Sequence, residues 1–102
     1  MRDFYEKVLG VVSAHTGFSE HQILHDRHEM CTDARYLLVH FLSRHLRCNE
    51  IVHLTGLSKQ AVSQICNGYD ARARFKYSLR STAKCVELEL FGWFLVYLFK
   101  SL

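Results

Sequence analysis

The sequence predicts one small all-α domain, a helical bundle, and three observations carry that expectation. Of its 102 residues 49% are hydrophobic, enough for a single compact core. Proline is absent and only five glycines occur, so little in the chain breaks a helix. Apolar residues recur three and four apart along most of its length, punctuated by residues that cap helices. No Ser/Gly-rich stretch, low-complexity segment or repeat divides it, and a single domain over residues 1–102 is expected.

The elements follow in order. Asp3 with Glu6 opens a helix over about residues 4 to 15, where Phe4, Val8, Val11, Val12 and His15 recur at helical spacing until Thr16-Gly17. Ser19 and Gln22 have the form of a capping box, opening a short helix that turns Ile23 and Leu24 inward. The charged stretch Asp26 to Glu29 reads as a loop. Thr32 or Asp33 caps a central helix over about 33 to 46, with a wide apolar stripe of Ala34, Leu37, Leu38, Phe41, Leu42 and Leu46. Asn49 caps a helix of two turns, Glu50 to Thr55, and Ser58 caps another, Lys59 to Cys66, which Asn67-Gly68 ends because both residues tolerate a left-handed conformation. Asp70 opens a basic helix to about Cys85, with Phe75, Leu79 and Thr82 or Ala83 on one face. The tail, Val86 to Leu102, has strand-like composition but the continuity of a buried helix, and helix is favoured.

The formal charge of +3 is unevenly placed. Residues 1 to 34 carry three basic and six acidic side chains (−3), and residues 59 to 84 carry six basic and one acidic (+5). A polyanion would therefore meet the second half of the chain. Cys31, Cys48, Cys66 and Cys85 contain no CxxC pair and follow no signal-peptide pattern, which reads as reduced thiols in a cytoplasmic protein. The apolar run Leu90 to Phe99 is about half the roughly 20 residues of a membrane-spanning helix, so no membrane association is expected.

The stretch "EIVHLTGLSKQAVSQI", residues 50 to 65, carries the chemistry. A helix-turn-helix needs a small residue in its turn, and Gly56 fills that slot between Ile51 and Val52 on one side and Val62 and Ile65 on the other. With Val62 and Ile65 inward, the helical wheel leaves Lys59, Gln60, Ser63 and Gln64 outside, and Ser58 at the N-terminus. These groups suit base edges and phosphates, and a helix N-terminus adds free N–H groups and partial positive charge. A solvated face around an ordinary helix corner is the rival reading of the same spacing.

Residues 4 to 70, from "FYEKVLGVVSAHTGFSEHQIL" through "ARYLLVHFL" to "LTGLSKQAV", resemble the C-terminal DNA-binding domain of the bacterial replication initiator DnaA. That is a Trp-repressor-like helix-turn-helix fold. The resemblance implies double-stranded DNA as the partner, a DNA contact by Arg35 at the start of the central helix, and backbone contacts from the preceding loop, which offers Arg27, His28 and Thr32. Residues 71 to 102 would then be a basic helix and apolar tail added to a DnaA-like core over 1–70. The family's aspartate-histidine-threonine-threonine signature is here Ser58, Lys59, Gln60 and Ala61, so a DnaA-type target sequence is not expected. No GxxxxGK[ST] loop accompanies it, which implies a DNA-binding module without a motor.

Other features are weighed against this. His21, His25, His28 and Cys31 lack the paired halves of a recognisable zinc site, so no metal and no cofactor are expected. No nucleophile elbow or paired-carboxylate motif supports an enzyme. Asn67, Arg72, Arg74, Lys76, Arg80 and Lys84, interleaved with Tyr69, Phe75 and Tyr77, read as a phosphate-contacting flank. The tail fits either a cover for the core or a homodimer interface. The expectation is therefore sequence-specific binding of double-stranded DNA through residues 58 to 67, in a regulator of transcription or replication. The alternatives are a protein-interaction or oligomerisation module in which the helix-turn-helix is only architecture, and single-stranded nucleic acid stacked on Tyr69, Phe75 and Tyr77.

Overall fold

Six helices and no strand make up the described chain in a computed structural model, which covers residues 2–101, with only the backbone of Tyr97 and Ser101. They are α1 (Arg2–Thr16), α2 (Glu20–His25), α3 (Glu29–Ser43), α4 (Cys48–Thr55), α5 (Lys59–Phe75) and α6 (Tyr77–Ser101). The radius of gyration, 13.2 Å, is that of a compact domain of this length, about 13 Å for 100 residues.

Helix α3 is the hub. Its residues Cys31, Ala34, Leu37, Leu38, Val39, Phe41 and Leu42 are buried, a stripe too wide for one neighbour, and all five other helices pack against it. Against that stripe α1 presents Tyr5, Val8, Val11 and Val12, α2 presents Ile23 and Leu24, and α5 presents Val62, Ile65 and Tyr69. Each fully buried Leu or Ile contributes about 1.5–3 kcal/mol of transfer free energy, which seats even the short α2. Ser19 caps α2 with both halves of the expected box: its Oγ accepts from the Gln22 N–H at 3.3 Å, and its own N–H donates to Gln22 Oε1 at 2.9 Å.

Several boundaries differ from the sequence reading, among them the end of α3, which falls at Ser43 and not at about 46. Helix α3 starts at Glu29, inside the expected loop, because His28 Nδ1 accepts the Met30 N–H at 3.2 Å and acts as the cap. Helix α4 starts at Cys48, since the Glu50 carboxylate reaches back to the Arg47 N–H at 2.9 Å. Asn67-Gly68 does not end α5, which runs on to Phe75. Gly68 is helical, and a Cβ added there would meet the Tyr36 ring at 3.7 Å, ordinary van der Waals contact, so the helix passes through this position without a turn. The break falls instead at Lys76 (φ −126°, ψ 99°), and α6 then continues without interruption through the tail. That break resets the helical phase, leaving Phe75 81% exposed and off the face that buries Leu79.

Among the described residues, no helix is long and apolar enough to cross a membrane. Helix α6 seats Leu79, Val86 and Leu90 on the bundle, and Trp93 and Phe94 continue that side against Phe4 of α1.

Candidate nucleic-acid interface

The turn between α4 and α5 fixes how α5 is presented. Gly56 has φ +75° and ψ 2°, a left-handed conformation that suits glycine, and its N–H donates to the Val52 carbonyl at 2.9 Å. The buried Thr55 hydroxyl donates to the Ile51 carbonyl at 2.7 Å and accepts the Leu57 N–H at 3.2 Å, tying both sides of the glycine down. Ser58 then caps α5, its Oγ accepting the Ala61 N–H at 3.0 Å and its carbonyl the Val62 N–H at 3.0 Å.

With Val62, Ile65 and Tyr69 facing inward, Lys59, Gln60, Ser63, Gln64 and Asn67 are all exposed on the outer face, and Ser58 is exposed at its start. The five base-contact candidates of the sequence are therefore brought together on one surface. Among the described residues, the side chains of Lys59, Gln60, Ser63, Gln64 and Asn67 have no intramolecular hydrogen-bond or ion-pair partner. Helices α1, α2, α3 and α4 each carry an acid in the first turn, whereas α5 has none and places Lys59 there, as α6 has none and places Arg80. A cation at a helix N-terminus opposes the macrodipole by roughly 0.3–1 kcal/mol, so the start of α5 gathers positive potential at a cost in stability.

The basic residues beyond it divide by helical phase. Because α5 does not stop at Asn67, positions 62, 65, 69, 72 and 76 form one inward line, and Arg72 and Lys76 fall on it. Arg72 Nε donates to Asp33 Oδ1 at 2.7 Å with its guanidinium over the Tyr36 ring, and Lys76 donates to Asp33 Oδ1 at 3.1 Å and to Glu29. The Lys76 hydrogen bond holds the Glu29 carboxyl below its ordinary range, and Glu29 in turn raises the Lys76 ammonium above its own. Arg72 and Lys76, expected in a phosphate-contacting flank, thus have their charges turned to the acids of α3. Arg80 is engaged too, donating to the Ala73 and Arg74 carbonyls at the end of α5. Arg74 and Lys84 remain exposed.

Near the start of α3, Arg35 is half-buried, its Nε donating to the Ile23 carbonyl at 2.8 Å and its Nη2 to the Asp26 carbonyl, which locks the α2–α3 connection. Arg27 is exposed in that connection, and the Thr32 hydroxyl donates to the His28 carbonyl at 3.2 Å. Tyr69 does not offer a stacking surface: it is buried against the His40 ring, centroids 3.7 Å apart and planes 8° from parallel. Burial pushes the Tyr69 hydroxyl up and the His40 imidazole down, so both are neutral near pH 7. Phe75 and Tyr77 are exposed.

The sequence reading considered Asp33 only as a helix cap, yet it is the acid on which α5 docks. The signal was available in the line 62, 65, 69, 72, 76 once the helix is extended through Gly68. Among the described residues no group of three His, Cys, Asp or Glu side chains converges as a metal site, and the four cysteines are unpaired, with Cys31 buried and Cys66 and Cys85 exposed. Comparison with protein-family models, curated proteins and solved structures finds no match for the chain. The likeness to the DnaA domain therefore rests on the residues quoted for it.

Proposed function

We propose that this protein binds double-stranded DNA sequence-specifically, with α4, the Gly56 turn and α5 acting as a helix-turn-helix that lays the outer face of α5 in the major groove. The observation that carries the reading is the ridge Lys59, Gln60, Ser63, Gln64, exposed and with unpartnered side chains, begun by the exposed cap Ser58, on a helix whose other face is firmly seated and whose start holds a lysine instead of an acid. Lysine reads guanine O6 and N7 or a phosphate, glutamine reads adenine N6 and N7, and a serine hydroxyl reads either. Ser58 keeps its proton for donation while its oxygen serves as the cap.

Backbone anchoring in this reading falls to Asn67, Arg74 and Arg27, which are exposed, and to the free N–H groups at the start of α5. Arg35, Thr32, Arg72 and Lys76 act by positioning, since their polar atoms are bonded within the protein. The DnaA likeness supplies the class of role, regulation of transcription or of replication, and the changed residues at 58–61 give a different target sequence.

Selection from a random duplex library on the purified protein at about 0.15 M salt tests the proposal, because purely electrostatic binding is weakened there. A reproducible enriched motif is expected. A folded, soluble protein that enriches nothing overturns the reading and leaves an interaction module, with the α4–α5 corner as architecture.

A further inference from the structure

Helix α6 has two apolar faces. One seats Leu79, Val86 and Leu90 on the bundle. The other, about 150° around the helix at 100° per residue, carries Leu88, Phe91, Leu95 and Leu98. Their spacing of three, four and three residues is that of a helix–helix seam, and Phe99 widens it. These five side chains are 41–75% exposed. They present on the order of 600 Å² of largely apolar surface, at the top of the roughly 300–600 Å² of the largest patch on an ordinary monomer and approaching the roughly 800 Å² per partner of a stable interface.

The seam from Leu88 to Leu98 carries no charged side chain, with Lys84 one turn before it and the Arg44–Glu87 ion pair bordering it beside Phe91. Between Leu88 and Phe99 the only ionic residue is Glu89, which lies off the seam and meets His15 of α1 at 3.4 Å. Gly92 sits at the edge of the seam, and a Cβ added there meets nothing within 4 Å. A mid-helix glycine weakens a lone helix relative to alanine, and here no neighbour among the described residues explains it. A second helix laid on this face would use the space.

We propose that the occupant is α6 of a second copy, making a two-fold dimer through Leu88, Phe91, Leu95 and Leu98. A copy of this seam matches it in length, spacing and lack of charge, and two-fold pairing covers both faces at once, closing the assembly. The proposal does not rest on DNA binding, and its test contains no DNA.

The test is the solution mass of the full chain at micromolar concentration, alone and as two triple variants, Leu88→Glu/Leu95→Glu/Leu98→Glu and Leu88→Lys/Leu95→Lys/Leu98→Lys. Unvaried protein is expected at twice the 12.0 kDa chain mass. Each triple variant is expected as a monomer with unchanged helical circular dichroism, since the altered side chains lie outside the core. Mixing the two is expected to restore the doubled mass, because opposite charges then face each other whichever way the helices run. Unvaried protein that is helical yet monomeric overturns the proposal. So does a Glu variant that remains dimeric, a mixture that stays monomeric, or a monomer that binds phosphatidylcholine vesicles through this face, which would make lipid the occupant.

Discussion

Helices α5 and α6 follow one another across a break at Lys76, and each seats one side on the bundle and leaves the other uncovered, yet the uncovered sides are chemical opposites. The outer face of α5 is polar and would be at ease in water with nothing bound. Its meaning comes from position: a rigid turn before it, an acid-free start, and a lysine where α1 to α4 place an acid. The outer face of α6 is apolar, so its exposure is unfavourable in itself and signals a missing neighbour. Similar exposure thus carries different information in the two helices, and only the chemistry of the side chains separates them.

The division between inner and outer faces of α5 can be broken most forcefully at adjacent residues. Ile65→Ala should cost about 3 kcal/mol in urea unfolding, because it opens a cavity against α3. Its neighbour Gln64→Ala should stay within about 0.5 kcal/mol. Equal losses would dissolve the distinction on which the candidate interface depends.

A smaller effect sharpens the account of the basic residues. Asp33→Ala leaves Arg72 and Lys76 without their shared, largely buried acceptor and should cost about 2 kcal/mol. No measurable loss would mean that these cations are free after all and available to a phosphate. The smallest effect concerns how α5 docks on His40. Burial disfavours the His40 imidazolium, so as pH falls below the ordinary imidazole value of about 6.5 the unfolded chain takes up that proton first. The stability that His40 contributes is present above that value and is lost as pH falls toward its lower folded pKa. His40→Phe, which keeps a ring against Tyr69, should therefore lessen the fall in stability below pH 6.5, and an unchanged pH profile would contradict a buried neutral histidine.

Local signals that bond within one turn of chain were legible in the sequence. The Ser19–Gln22 box, the left-handed Gly56 and the Ser58 cap each appear where their residue types place them. What the sequence did not show depended on partners distant in the chain. Asn67-Gly68 has the local chemistry of a helix end, but Tyr36 and His40 of α3 pack along the far half of α5 and carry the helix through it. That one extension turned Arg72 and Lys76 from an outward flank to an inward pair. His28 as a cap was hidden for a different reason, since imidazole nitrogen is a rare acceptor in that role and Thr32 and Asp33 compete for it by type. The candidate site was legible to the extent that it lies within three turns of Ser58, where a helical wheel needs no tertiary knowledge.

The central claim is that Lys59 and Gln60 read sequence. The direct measurement is the affinity of Lys59→Ala/Gln60→Ala protein for an enriched duplex and for scrambled duplexes, beside unvaried protein at the same salt. The account predicts unchanged helical content and thermal stability, with binding to the enriched duplex falling to the level of the scrambled ones, since each side-chain contact to a base contributes about 1–3 kcal/mol of discrimination. A variant that still prefers the enriched duplex as strongly as unvaried protein would contradict it.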